Sequence, residues 1–298
     1  MTEFPRTTRA LREALDARGV APQKRHGQCF LTDVQAVDAI VRDAGVAPGD
    51  AVVEVGTGTG LLTHALTEAG ASVDTFDLDA RIQDVAKSLR AWPESVRFHL
   101  ADALEDKRSL SSPLRAALDR ALAERGRGRV RFVSNLPYNA ATPVVLALLA
   151  LPEPPESITV MVQRELAEKF LARPGEKGYG PPSILTSLLA TGRVLRRFPP
   201  QVFWPAPSVQ SALLSLSPRH PRLLPAGEEG AFSRFLIDLF TRRRKVLSTA
   251  LRTARPALDA AAAASAIAAV GADPRLRPED VAPEALLALH RATAAHPP

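Results

Sequence analysis

The residues best suited to chemistry in this sequence lie in the stretch Ser134 to Asn139, which reads Ser-Asn-Leu-Pro-Tyr-Asn. It follows the apolar run Val130 to Val133, which predicts a buried strand, and it precedes an apolar helical run. The Asn135 amide supplies two hydrogen-bond donors and an acceptor. Pro137 stiffens the turn, and the Tyr138 ring offers a face on which a flat base can stack. Because ligands of open α/β sheets bind at the carboxyl ends of strands, this stretch is suited to holding a planar amine.

A glycine-rich turn lies between another predicted strand and a helix. The strand is Ala51 to Val55, the turn is Gly56-Thr57-Gly58-Thr59-Gly60, and the helix starts at Leu61. A strand, a glycine turn and a helix open a nucleotide-binding βαβ unit, in which glycines let the backbone approach a ligand. Glycine runs also occur in ordinary tight turns, so the position directly after a strand supports the ligand-binding interpretation.

Acidic residues follow the next two predicted strands. Asp77 lies at the end of the strand Ser72 to Leu78, where an acid can accept both ribose hydroxyls of an adenosine-containing cofactor. Asp102 follows the strand Ser95 to Leu100 and is placed to meet an adenine amine, with a simple turn residue as the alternative role. The alternative role for the acids after the strand Ser72 to Leu78 is that of a helix N-cap, and this role suits Asp79 better than Asp77.

The glycine spacing distinguishes two kinds of cofactor. A dinucleotide site has the pattern G-x-G-x-x-G, whereas this turn reads G-x-G-x-G and contains no basic residue that would meet a pyrophosphate. S-adenosyl-L-methionine contains adenosine but no phosphate, so it requires only a close backbone approach and the two acids. The pattern therefore favours a methyltransferase.

Two domains are indicated by the order of the elements. Strands alternate with helices up to residue 217, which predicts an α/β domain over residues 1–217. After Pro218 only helical patterns follow, which predicts a small helical domain over residues 218–298. Its first helix is predicted as the single segment Phe232 to Leu251. The aromatic-proline loop Phe203 to Pro207 is interpreted as a cover of the sheet edge, with flanking of a base as the alternative.

The composition bounds the partners and the compartment. Among the 298 residues, 38 Lys and Arg exceed 32 Asp and Glu, and this basic excess favours a polyanionic partner. The single cysteine, Cys29, allows no internal disulfide and is typical of a reducing cytosol. No stretch approaches the ~20 apolar residues of a membrane span, and the polar start of the sequence shows no secretory signal. A cytoplasmic protein without a membrane anchor is expected.

Taken together, these motifs resemble those of the ribosomal RNA adenine dimethyltransferase family, of the bacterial KsgA type. The resemblance runs through nearly the whole chain, over Ala10 to Leu31, Glu54 to Gly58, Phe76 to Asp79, Asp102 to Leu104, Asn135 to Asn139, Gln163 to Glu165, Gly178 to Gly180, Pro205 to Ser211, Arg242 to Lys245 and Arg277 to Asp280. It implies a Rossmann-like class I methyltransferase sheet with helices on both faces, plus a small all-α C-terminal domain that binds RNA or the ribosome.

The resemblance also implies an activity. This is the S-adenosyl-L-methionine-dependent dimethylation of N6 on two adjacent adenosines near the 3′ end of 16S rRNA, performed by a monomer during maturation of the small ribosomal subunit. The implied catalytic residues are Asn135, Pro137 and Tyr138. The implied cofactor-binding residues are Gln28, Cys29, Leu31, Gly56, Gly58, Asp77, Asp102 and Asn135. The implied RNA-binding residues are Arg242, Arg243, Arg244 and Lys245, and no metal is implied.

Such a site would act mainly by positioning. The lone pair of an exocyclic amine is delocalised into the ring, and hydrogen bonds from the amine to the Asn135 side-chain oxygen and to the carbonyl of Leu136 or Pro137 would favour a more pyramidal nitrogen. No strong general base is then required, because alignment supplies most of the rate. The target base would have to leave its helix to enter an enclosed pocket.

Two residues depart from the family pattern, and alternative functions remain open. Cys29 stands where the family usually has asparagine or histidine, and Trp204 stands where phenylalanine or tyrosine is common. One alternative is a 23S rRNA adenine methyltransferase of the macrolide-resistance type, against which the N-terminal segment and Arg277 to Asp280 argue. A second is a non-catalytic RNA-binding assembly factor, which Cys29 keeps open although the Asn135 to Tyr138 stretch is intact. A third is a glutamine or DNA adenine methyltransferase, which gains no support from the helical C-terminal segment.

Overall fold

The computed structural model describes residues 4–5, 7–20, 29–106, 108–137 and 139–294. The strands are β1 Phe30–Leu31, β2 Ala51–Val55, β3 Ser72–Asp77, β4 Val96–Leu100, β5 Val130–Asn135, β6 Ser157–Gln163, β7 Ala190–Phe198, β8 Phe203–Trp204 and β9 Ser211–Pro218. The helices are α1 Thr8–Asp16, α2 Val34–Asp43, α3 Leu61–Glu68, α4 Ala80–Ser88, α5 Ser112–Glu124, α6 Ala141–Ala150, α7 Arg164–Leu171, α8 Pro181–Leu189, α9 Glu229–Phe240, α10 Leu247–Ala254, α11 Ala260–Ala269 and α12 Pro283–Ala292. No helix in these described ranges is long and apolar enough to cross a membrane.

Seven strands form one sheet in the order β4-β3-β2-β5-β6-β9-β7. Strands β4, β3, β2, β5 and β6 run parallel, and β9 is antiparallel to β6. The central strands β2 and β5 are almost entirely buried, as expected for parallel strands that are covered on both faces. The strand order reverses between β2 and β5, so their carboxyl ends flank the crevice in which such sheets bind ligands.

A buried ion pair joins β2 to β5 at the opposite end of these strands. The Arg131 Nε donates to Asp50 Oδ2 at 2.6 Å, and the Arg129 backbone N–H donates to Asp50 Oδ1 at 2.9 Å. These bonds hold the pKa of Asp50 below its ordinary value, although burial opposes them and is the largest single influence. The pair fixes the register of the two strands whose other ends carry Gly56 and Asn135.

The chain divides into two compact units. The first comprises residues 1–148, 153–167 and 193–217, and the second comprises residues 149–152, 168–192 and 218–298. The second unit thus includes α8 and the loop before it, in addition to the C-terminal residues that the sequence assigned to a helical domain. In that unit the buried side chains of α9 include Phe232, Phe235 and Leu239.

The single helix predicted from Phe232 to Leu251 is wrong, because the structure contains two helices there. Helix α9 ends with a cap at Thr241, whose hydroxyl donates to the Asp238 carbonyl at 2.6 Å. Val246 is extended, and the next backbone N–H, that of Leu247, donates to the Leu276 carbonyl at 2.6 Å. The apolar residues Phe240 and Leu247 are seven positions apart, about two helical turns, so the sequence pattern does not reveal the break. Arg242 to Lys245 therefore lie in a turn.

Candidate active site

A cavity of about 720 Å³ lies in the first unit at the carboxyl ends of β2, β3 and β5. The sequence-predicted residues that line it are Cys29, Leu31, Gly56, Gly58, Asp77, Asp102, Asn135 and Pro137. The structure thus brings together motifs that are spread over more than a hundred positions of the sequence. Two further predicted residues, Gln28 and Tyr138, lie outside the described residues. The basic residues 242–245 belong to the second unit and do not line this cavity.

The glycine turn lies directly against the Asn-Leu-Pro stretch. Gly56 has a positive φ of 87°, and a Cβ at this position would lie 3.2 Å from the Asn135 carbonyl oxygen and 3.8 Å from Pro137 Cδ. A side chain here would therefore be strained by the backbone conformation and crowded by the opposite strand. Helix α3 follows the turn without a side-chain cap at Gly60, so the backbone N–H groups of its first turn remain available at the cavity.

Asp77 is held in place by the glycine turn. Its Oδ2 accepts from the Gly58 backbone N–H at 3.1 Å, and its Oδ1 accepts from the Asp79 backbone N–H at 3.0 Å. Burial raises the pKa of Asp77, and these backbone bonds only partly offset the effect. Asp79 has the separate role expected for it, because its side chain caps α4 by accepting from the Arg81 N–H at 3.0 Å.

The cavity is also lined by Asp102, in the loop after β4, and by the apolar residue Leu78, directly after β3. Asp102 Oδ1 accepts from the Leu104 backbone N–H at 3.0 Å, which holds the carboxylate beside the cavity. Leu78, next to Asp77, also lines the cavity and is 70% exposed. A large exposed apolar side chain between two acids is a suitable surface for a flat ring, and the sequence analysis did not single it out.

Glu54 is the most buried acid of the cavity wall. It is 0% exposed, and its Oε2 accepts from the hydroxyls of Thr63 at 2.6 Å and Thr75 at 2.8 Å. No hydrogen-bond partner for Oε1 exists among the described residues. Burial, the largest influence, raises the pKa of Glu54 to about 8, and the charge of Asp77 acts in the same direction. Sequence analysis included Glu54 in a motif without a role, although an acid inside an apolar strand is itself a signal.

The two aromatic residues of β8 have different surroundings. Phe203 lines the cavity, whereas Trp204 packs beside Phe30, with ring centroids 6.5 Å apart, and under the Arg12 guanidinium at 5.0 Å. Successive side chains of a strand point to opposite sides, so the two neighbouring rings of β8 lie on opposite sides of this strand. Phe203 is not recognisable as a site residue from the sequence, because a strand of two residues gives no readable alternation.

The sheet order, the antiparallel pairing of β9 with β6 and a cavity at the point of strand reversal define a class I methyltransferase fold. The family described as ribosomal RNA adenine dimethylase matches residues 21–274. A relative from Thermobifida fusca, named ribosomal RNA small subunit methyltransferase A, is 40% identical over 92% of this chain and 91% of its own length. A relative of the same name from Phenylobacterium zucineum is 36% identical over 95% of this chain and 92% of its own length.

Two solved structures share the fold. A dimethyladenosine transferase from Plasmodium falciparum superposes with a TM-score of 0.72 at 20% identity, covering 90% of this chain and 98% of that one. The 23S rRNA methyltransferase ErmE gives a TM-score of 0.60 at 22% identity, covering 88% of this chain and 98% of that one. The chain belongs to the ribosomal RNA adenine dimethylase family. This membership confirms the predicted fold class, the enzyme class and S-adenosyl-L-methionine as the cofactor.

The residues present fit this cofactor. The glycine turn leaves room where a Cβ at Gly56 would stand, and no lysine, arginine or histidine is among the described residues lining the cavity. Glu54 Oε1 lacks a partner within the described chain, and Asp77 keeps lone pairs beyond its two backbone bonds. A pocket lined by acids, without a basic residue among the described lining, suits a cationic adenosine compound that carries no phosphate.

Proposed function

We propose that this protein transfers methyl groups from S-adenosyl-L-methionine to N6 of two adjacent adenosines near the 3′ end of 16S rRNA during small-subunit maturation. The observation that carries the proposal is the 3.2 Å approach between a Cβ position at Gly56 and the Asn135 carbonyl, which puts the cofactor turn and the amine-binding stretch in one cavity. The relatives named as small-subunit enzymes support the choice of substrate. The fold alone does not discriminate, because ErmE shares it. Action as a cytoplasmic monomer stays a prediction from the sequence.

Each cofactor contact follows from the chemistry of its residue. Asp77 would accept the ribose hydroxyls, Asp102 would accept the adenine amine, and Leu78 would pack against the adenine ring. The backbone at Gly56 and Gly58 would contact the remainder of the molecule. The bound cofactor supplies an electrophilic methyl group on a positively charged sulfur.

Cys29 also lines the cavity, and its thiol must not compete with the RNA for the methyl group. Burial raises the pKa of this thiol. The thiolate is the nucleophilic form of cysteine, so a thiol that stays protonated is a poor acceptor for a methyl group. A cysteine is therefore compatible with this position.

The target adenine would lie between Asn135 and Phe203. The Asn135 side-chain oxygen would accept one amine hydrogen, which directs the nitrogen lone pair towards the methyl group. Phe203 would contact the base from the cavity wall, and Tyr138, which lies outside the described residues, is predicted to stack on it. Catalysis then consists of holding two reactants in line, and Asn135 contributes by positioning rather than by removing a proton.

The test is mass spectrometry of RNA nucleosides after incubation of the enzyme and cofactor with small subunits from a strain that lacks this methylation. N6,N6-dimethyladenosine in 16S rRNA is expected, with loss of at least two orders of magnitude in rate for Asn135→Ala. Large subunits from the same strain serve as the matched substrate control. Dimethylation confined to 23S rRNA would establish the macrolide-resistance alternative, and no incorporation into either RNA would establish the assembly-factor alternative.

We also propose that residues 242–245 contact RNA phosphates. All four side chains are exposed in the turn between α9 and α10, and no carboxylate of the described chain pairs with them. Replacing Arg243, Arg244 and Lys245 by alanine should weaken binding to small subunits and reduce the salt slope of log K by about 2 to 3. Arg291, which pairs with Glu228 at 2.9 Å, provides the control substitution. An unchanged salt slope would contradict this contact.

A further inference from the structure

The Glu54 carboxyl is asymmetric. Its Oε2 receives two hydroxyl hydrogens, from Thr63 and Thr75, and the Thr75 hydroxyl also contacts the Thr57 hydroxyl of the glycine turn at 2.7 Å. Because Thr75 uses its hydrogen for Glu54, Thr57 is the donor in that second contact. Glu54 Oε1 receives no hydrogen from any described residue, although the side chain is 0% exposed. A proton carried by Glu54 in the free enzyme therefore resides on Oε1.

The surrounding charges do not compensate an ionised Glu54. The acids that line the same cavity are Asp77 and Asp79 at the end of β3 and Asp102 after β4, and the remaining titratable group is the Cys29 thiol. No cationic side chain is among the described residues of the lining. A fully buried carboxylate without a cation is costly, and such groups stay protonated until a partner arrives. An ionised Glu54 would need a positive charge that no described residue of the lining supplies.

We propose that binding of S-adenosyl-L-methionine releases one proton from Glu54 to solvent, so that the enzyme selects a cationic ligand by exchanging a proton for it. This inference rests on the proposed cofactor site. In the exchange, the O–H bond at Oε1 breaks, the proton passes to the buffer, and the resulting carboxylate faces the positive charge of the cofactor. The hydroxyls of Thr63 and Thr75 remain on Oε2 throughout.

The sign of the pH dependence follows from linkage. The pKa of Glu54 is about 8 in the free protein, and a neighbouring cation lowers it in the complex. Between these two values binding expels a proton, so the affinity rises with pH by up to about tenfold per unit. Above about pH 8 the carboxyl is already ionised, and the dependence on Glu54 levels off.

The test is isothermal titration calorimetry of the purified enzyme with S-adenosyl-L-methionine in buffers of different ionisation enthalpy, such as phosphate and Tris. At pH 7.0, where the amino group of the cofactor is still protonated, the slope of binding enthalpy against buffer enthalpy should correspond to release of about one proton. The same slope in Glu54→Gln, which keeps the shape of the side chain, should be close to zero at this pH. Infrared difference spectra should show loss of a protonated carboxyl band on binding to the wild type only.

Each outcome of the calorimetry tests a specific part of the proposal. Wild-type binding and methylation without buffer dependence at pH 7.0 would overturn the proton exchange and leave the proposed function intact. Release that persists in Glu54→Gln would overturn the assignment to this residue, with Asp77 as the alternative source. Absence of cofactor binding in every buffer would overturn the proposed cofactor site and this inference with it. The wild-type series alone tests the exchange if the variant does not fold.

Discussion

The apposition of Gly56 and Asn135 predicts that Gly56→Ala damages catalysis more than its effect on stability explains. Gly56 has a φ of 87°, a conformation that costs an alanine about 1–2 kcal/mol. The added Cβ would also lie 3.2 Å from the Asn135 carbonyl oxygen, so that carbonyl must move by a few tenths of an ångström. Since misplacement by about 1 Å can reduce a rate by about a hundredfold, we expect about a tenfold loss in kcat.

Gly45 provides the matched control. Its φ is 66°, and a Cβ there would meet nothing within 4 Å. Gly45→Ala should therefore lose a similar 1–2 kcal/mol, roughly, of unfolding free energy while keeping kcat. Urea denaturation measures the unfolding free energy, and steady-state methyl transfer at saturating small subunits measures kcat. Equal kcat values for the two variants would refute the inference that the two motifs share one wall of the site.

Two further predictions concern the cavity wall. The pKa of Glu54 is raised to about 8 in the folded protein, so as pH rises this carboxyl ionises first in the unfolded chain. The stabilisation that protonated Glu54 contributes to the folded state is complete below about pH 4.5. It is lost between that pH and about pH 8, and the total loss is at most roughly 5 kcal/mol. Urea denaturation at pH 5, 6.5 and 8 should therefore show the wild type falling relative to Glu54→Gln by about 1.4 kcal/mol per pH unit, and parallel profiles would contradict this. Phe203→Leu, which removes the aromatic face, should lower kcat/KM for small subunits by about tenfold. Trp204→Leu should instead lower the unfolding free energy by about 2 kcal/mol and leave kcat unchanged. The reverse pattern would show that the two rings have each other's role.

The sequence predicted the central sheet because its strands are short, apolar and bounded by turns. The cavity residues also followed, since the carboxyl ends of parallel strands meet at one edge and bring Gly56, Asp77 and Asn135 together. The glycine spacing and the two acids favoured S-adenosyl-L-methionine as the cofactor, and the resemblance to a family added ribosomal RNA as the substrate. These parts depend on local pattern or on a sheet geometry that has few solutions.

The parts that were missed depend on contacts between distant segments. Strands β1 and β8 have two residues each and exist because Phe30 pairs with Trp204 and Leu31 with Phe203. The break before α10 depends on a hydrogen bond from Leu247 to the Leu276 carbonyl. No local pattern records either partner, so propensity alone extends the helix and leaves the strands as loops.

The pairing of β1 with β8 has a consequence for synthesis of the chain. One wall of the cavity is formed by Cys29 and Leu31, and this wall is held by a strand that ends at Trp204. The ribosome makes the N-terminal wall early, but its partner strand emerges only after six strands of the main sheet have been made. Contacts between residues so far apart in the sequence form late and slowly during folding. A nascent chain is therefore unable to complete its cofactor pocket until translation has passed residue 204.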